Sequence, residues 1–131
     1  MNTIAMVFMT VTHTLGLPQG LLDSICYVES GHTVKVVHKN DGKTDSIGIC
    51  QIKYETATGL GYRGSLDHLY DLNTNVYWAG VYLLKQLKRY NGDVEKAVAA
   101  YNAGTHRINA KGLTMNRKYV DKVFKVWVVA Q

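Results

Sequence analysis

Ser24-Ile25-Cys26-Tyr27-Val28-Glu29-Ser30-Gly31 places a carboxylate where helical geometry calls for an apolar side chain. Counting back from Glu29, Ile25, Leu22 and Leu21 lie four, seven and eight positions away. Those offsets make one stripe of an α-helix. Glu29 therefore closes the buried face of that helix in its last turn. A carboxylate among apolar neighbours is costly when ionised, so its pKa is expected to rise. A raised carboxyl is what a general acid needs near neutral pH. The competing reading is a helix-end Glu whose flexible stem carries its head to water.

Outward from this stretch, Pro18 fits the first turn of the helix and Gly31 the position just after it. Upstream, Ile4, Val7, Phe8 and Val11 predict a helix over 3–14, ended before Gly16. Downstream the pattern changes. Thr33–Val37 and Ser46–Cys50 read as two short strands, joined through an Asp41-Gly42 turn. From Gln51 the chain reads as helical again, with Ile52–Leu60 stopped by Gly59, Gly61 and Gly64. Ser65 can cap a short turn through Tyr70. A longer helix is predicted over 73–90, with Val76, Ala79, Gly80, Leu83, Leu87 and Tyr90 in its stripe. Asn91-Gly92 ends it, and Asp93 caps a helix carrying Val94, Ala97, Val98 and Tyr101 on one face. A last helix from Asn116 aligns Tyr119, Val120, Val123, Phe124 and Trp127. The expected fold class is α+β, mainly α: one domain over 1–131, with a small β-hairpin lobe beside the helices. The cleft between lobe and helices is where Glu29 would sit.

The composition fits a globular chain, 47% hydrophobic and 19% charged, with no linker, repeat or low-complexity tract. Net charge is +5, which either serves solubility or suits a polyanionic partner such as a nucleic acid, a membrane surface or a cell-wall polymer. The basic residues are scattered, and the clusters Lys85-Lys88-Arg89 and Arg117-Lys118-Lys122-Lys125 fall on solvated helix faces. No interleaving of basic and aromatic residues argues for nucleic acid, so no nucleic-acid partner is expected. The first fourteen residues are too polar and short for a membrane span, and they carry no Lys or Arg. They make a poor secretory signal. Cys26 and Cys50 either pair in an oxidising compartment or act as small buried hydrophobes. His13, His32, His38, His68 and His106 are dispersed without the helical pairing of a zinc site, so no metal and no cofactor are expected.

Three further segments stand out. Ser46-Ile47-Gly48-Ile49-Cys50-Gln51-Ile52 holds a Gly inside an extended run, which reads either as a plain strand glycine or as close backbone approach by a ligand or another segment. Ala100-Tyr101-Asn102-Ala103-Gly104 ends a helix with a phenol, an amide and a Gly, and Tyr119-Val120 adds another helical phenol. Taken singly, the last two are better explained by a capped helix end and by core packing. Taken in order with Glu29-Ser30, with Asp71-x-Asn73-x-Asn75 and with Tyr82-Leu83, the set resembles the soluble lytic transglycosylase family of the lysozyme superfamily. The likeness runs from about Gly16 to Val123. Around Gly48 and Gln51 it is most similar to the small members found in phages and secretion systems. Two departures stand out: Cys50 replaces a frequent Met, and Lys53-Tyr54 replaces a frequent Met-Pro. The resemblance hints that a Cys26–Cys50 disulfide replaces the Met packing. The Lys53-Tyr54 change is expected to affect only the start of a helix.

The resemblance implies cleavage of the β-1,4 bond between N-acetylmuramic acid and N-acetylglucosamine in peptidoglycan, leaving 1,6-anhydromuramoyl ends. Glu29 would act as acid and then base. Ser30 and Ser46 would bond the sugar or orient the carboxyl. Gly48 would admit the glycan, and Gln51 would bond an N-acetyl or hydroxyl group. Tyr101 would hold Glu29 through its hydroxyl, Asn102 would bind glycan, and Tyr119 would line the subsite. No second carboxylate has a convincing placement, since a turn explains Asp41 and solvation explains Asp45. That is compatible with attack by the sugar's own O6. The alternatives are a hydrolytic lysozyme using Asp41 or Asp45, and an inactive glycan-binding component of a virion or secretion machine. The expected partner is the glycan strand of peptidoglycan, acted on by a monomer. The expected setting is a phage protein made in the host cytoplasm without a signal peptide and delivered to the wall as an endolysin or virion-associated lysin.

Overall fold

The computed structural model describes residues 2–34, 37–38 and 45–130. Among these, six α-helices and three two-residue strands follow the order α1 (Thr3–Leu15), α2 (Leu21–Ser30), β1 (Val37–His38), β2 (Ser46–Ile47), β3 (Ile52–Lys53), α3 (Tyr54–Gly59), α4 (Leu72–Arg89), α5 (Val94–Ala103) and α6 (Arg117–Ala130). A 3₁₀ turn, Asp67–Tyr70, precedes α4.

Helix α4 is the element the others gather on, with α1 and α5 packed along it. Its ends follow ordinary capping chemistry. The Asp71 carboxylate accepts from the Thr74 amide at 3.1 Å, and Asp93 caps α5 by accepting from the Lys96 amide at 3.0 Å. Gly80 is in the α4 stripe because nothing larger fits. A β-carbon there would meet Val11 at 2.8 Å and Leu15 at 2.9 Å, so the missing side chain is what lets α1 lie against α4.

Helix α2 begins three residues later than Pro18 implies. Gly20 adopts φ 78°, a left-handed conformation that interrupts a helix, so Pro18 belongs to the preceding turn. The far end is as expected, with Gly31 donating to the Tyr27 carbonyl at 2.7 Å. Leu21, Leu22 and Ile25 are fully buried in the main core with Val76, Leu83, Val98 and Val123.

The β lobe is a three-stranded antiparallel sheet in the order β1-β2-β3. Thr33 and Val34 lie outside strand structure, and the strand expected over Ser46–Cys50 stops at Ile47. Lys35, Val36 and the Asp41-Gly42 turn fall outside the described residues. The third strand, Ile52–Lys53, stands where the sequence reads as the start of a helix. Two residues are too few for either period to show. In the register, Ile47 faces Ile52 and Ser46 faces Lys53. Ile47 and Ile52 enter a second, smaller core with Ala57, Tyr62 and Leu69. Strand alternation then directs Ser46 and Lys53 to the opposite face, toward the cleft.

Candidate active site

Glu29 occupies the last turn of α2, partly buried, on the wall of a cavity of about 220 Å³. Gln51, Ser46, Tyr82, Tyr101 and Asn102 line the same cavity. Three segments distant in sequence from Glu29 thus line one cavity with its carboxylate. Glu29 does not point away into solvent from the Gln51 and Tyr101 segments.

The hydroxyl of Tyr119 donates to Glu29 Oε2 at 2.7 Å. Burial, followed by the negative charge of Glu29, pushes the Tyr119 phenol well above the ordinary tyrosine range. The same two causes, in the same order, raise Tyr101. Both phenols therefore stay protonated and remain donors. Their partners differ from expectation. Tyr101 donates to the Cys50 carbonyl at 2.7 Å, and the hydroxyl that holds Glu29 is that of Tyr119. The two rings stand on neighbouring helices, and a sequence gives no means of telling which phenol reaches the acid. Tyr82 stacks obliquely on Tyr101, with centroids 5.1 Å apart.

The segment Gly48–Gln51, which ends in the cavity-lining Gln51 and backs that wall, is held from four sides. The Cys26–Cys50 disulfide joins it to α2, which settles the open pairing of the two cysteines. The Ser30 hydroxyl donates to the Ile49 carbonyl at 2.6 Å, so Ser30 ties that segment to the end of α2. Tyr101 holds Cys50 from α5.

The fourth support is Asn75. Its Nδ2 donates to the carbonyls of Ile47 at 3.0 Å and Leu69 at 2.9 Å, and its Oδ1 accepts from the Cys50 amide at 2.9 Å. It is fully buried. The close approach expected at Gly48 is made by this amide: a β-carbon on Gly48 would lie 2.1 Å from Asn75 Nδ2. Gly48 also has φ +81°. At the end of the wall Gln51 takes φ 53° and donates from Nε2 to the Gly48 carbonyl at 3.0 Å. This left-handed turn aims the following strand back along β2.

Asn102 sits exposed on the cavity rim, its Oδ1 accepting from Asn116 Nδ2 at 3.0 Å. Arg89 fixes the adjoining chain by donating to the Gly104 carbonyl at 3.0 Å and to Thr105 Oγ1 at 2.6 Å. Lys53, Thr56 and Tyr82 also line the cavity, and sequence reasoning did not single them out as site residues. The departure at Lys53-Tyr54 reaches further than a helix start, because Lys53 lies on β3 and in the cleft wall. In the sequence Asn75 stands out only as part of the Asp71-x-Asn73-x-Asn75 entry to α4, with no role attached.

Similarity to known proteins agrees with this architecture. The chain is 35% identical over 80 residues to a protein described as a transglycosylase from Enterobacteria phage PRD1, an alignment covering 61% of this chain and 28% of the relative. A solved structure of an inactive mutant of the lytic transglycosylase Slt from Pseudomonas aeruginosa superposes with a TM-score of 0.80 at 19% identity, covering 95% of this chain and 23% of that one. The chain thus spans only about a quarter of the length of these relatives. That superposition establishes a shared fold, the helical lytic-transglycosylase fold with a small β lobe. Residues 6–123 match the model of the family described as the Transglycosylase SLT domain, and on that match over most of its length the chain belongs to this family.

Proposed function

We propose that this chain is a peptidoglycan lytic transglycosylase in which Glu29 is the single acid and base. The observation that carries the reading is the Glu29 carboxyl, held at Oε2 by Tyr119 in a cavity it shares with Ser46, Gln51 and Tyr101. Among the described residues lining that cavity, Glu29 is the only carboxylate. A glycosidase that activates water ordinarily uses a second one.

In the proposed reaction protonated Glu29 gives its proton to the oxygen bridging the two sugars. The C1–O bond breaks and the N-acetylglucosamine side leaves with its hydroxyl restored. Positive charge develops at C1 of the muramoyl unit. Glu29, now a carboxylate, takes the proton from the muramoyl O6 hydroxyl as O6 bonds to C1 and closes the 1,6-anhydro ring. Glu29 ends protonated as it began, and water enters no step. Tyr119 keeps the carboxyl from rotating between its two duties. Ser46, Gln51 and Asn102 supply polar groups on the walls for sugar hydroxyl and N-acetyl groups. Ser30, Gly48 and Tyr101 act on the glycan through the wall they hold in shape.

The phage relative supports a wall-acting role in a phage, reached by delivery to the wall, and a monomer is sufficient because one chain supplies every residue named. Mass analysis of digested peptidoglycan tests the reaction. Muropeptides lighter by one water than their reducing counterparts are expected. Full-mass reducing ends would assign a hydrolase, and Glu29→Gln should lower the rate by at least about 10²-fold.

A further inference from the structure

We propose that Lys53 is a specificity residue of the cleft, taking a carboxylate of the wall polymer beside the scissile bond. The inference rests on the transglycosylase reading and deepens it by naming a charged recognition element. Among the described residues lining the Glu29 cavity, Lys53 is the only cation and Glu29 the only anion. Its placement follows from the sheet. The β2–β3 register pairs Lys53 with Ser46, while Ile47 and Ile52 pair on the core side. Cross-strand partners on one face stand close together, so the ammonium stem and the Ser46 hydroxyl share the cleft side. The stem starts on a strand that runs directly into α3, a rigid mount for a binding group.

The substrate has the matching chemistry. Each muramoyl unit carries a lactyl group that is a free carboxylate when the stem peptide is absent. When the peptide is present, the lactyl group is an amide and the carboxylates lie on the peptide. Either source offers an anion to the ammonium of a half-buried lysine on the cleft wall, a charge-assisted contact.

The test uses wild type, Lys53→Met and Lys53→Arg on glycan strands stripped of stem peptides and on intact sacculi. Each substrate is used before and after its carboxylates are capped as methylamides. KM and kcat are read from release of anhydro ends. Capping is expected to raise the wild-type KM about tenfold, with the loss in KM and not in kcat, as for a partly exposed charge pair. Lys53→Met should show that raised KM on the uncapped substrate and should not respond to capping. Lys53→Arg should behave as wild type. Discrimination on stripped strands assigns the lactyl carboxylate; discrimination on sacculi alone assigns the peptide. An equal response of wild type and Lys53→Met to capping on both substrates overturns the proposal. Should wild type release no anhydro ends from any substrate, the transglycosylase reading fails separately. Binding of capped and uncapped strands by Glu29→Gln and by Glu29→Gln/Lys53→Met then still decides whether Lys53 reads the carboxylate. Melting curves control for folding, with Lys53→Gln as the second neutral variant.

Discussion

Replacing Gly48 by Ala probes the support of the cleft wall most directly. The new β-carbon would lie 2.1 Å from Asn75 Nδ2 and 2.5 Å from its Cγ. The amide cannot swing aside cheaply, because Nδ2 is bonded to two carbonyls and Oδ1 to the Cys50 amide. The backbone conformation adds to the cost, since φ is +81°. Left-handed backbone costs Ala about 1–2 kcal/mol and overpacking about 1–3 kcal/mol, together roughly 2–5 kcal/mol. With a urea m-value of roughly 1.5 kcal/mol/M, the unfolding midpoint should fall by roughly 1.3–3.3 M. Asn75→Ala should cost about 3 kcal/mol or more, because three buried backbone groups lose their partners. The double variant separates the causes. Once the amide is gone the steric part vanishes and only the backbone part remains. Gly48→Ala should then cost about 1–2 kcal/mol in the Asn75→Ala background, a coupling of about 1–3 kcal/mol. Urea titrations of the four proteins with the disulfide intact measure it. Costs that add to within about 0.5 kcal/mol would refute the claim that Asn75 is what Gly48 makes room for.

Three other perturbations have expected outcomes. Tyr119→Phe removes the donor to Glu29 Oε2 and should lower kcat about tenfold with KM within about twofold, read from anhydro-product release; an intact kcat would show that Tyr119 does not position the acid. Reducing the Cys26–Cys50 bond, which joins positions 24 apart, should cost about 3.5 kcal/mol by loop entropy, and urea midpoints with and without reductant should differ accordingly; a loss below about 1 kcal/mol would contradict that. Tyr101 and Tyr119 have folded pKa values raised by burial and then by Glu29. Their contribution to stability is fully present below the ordinary phenol value of about 10 and is lost as pH rises from there toward the folded values, because the unfolded chain releases its protons first. Melting temperature should therefore decline above about pH 10, and ultraviolet titration of the folded protein should leave these two phenols un-ionised where exposed tyrosines titrate. Stability that is level across that range would count against their burial.

The sequence by itself determined the helices and the placement of the acid. Helical period, Gly31, Asp71 and Asp93 mark where α2, α4 and α5 run, since caps and stripes are local features written in neighbouring residues. The buried stripe turned Glu29 toward the core face but left a head reaching water open, and the cavity it shares with Gln51 and Tyr101 decided between them. Only the tertiary structure decided how that wall is held. That Tyr119 and not Tyr101 reaches Glu29, that Asn75 fills the space over Gly48, and that Cys26 and Cys50 pair all depend on segments 24 to 90 positions apart, while Lys53 is set on the cleft wall by a nearer pairing of β3 with β2. Such contacts are set by how helices and strands pack and by which rotamer reaches a partner. Short strands such as Ile52–Lys53 carry no period of their own, so their existence too is a product of the pairing they make.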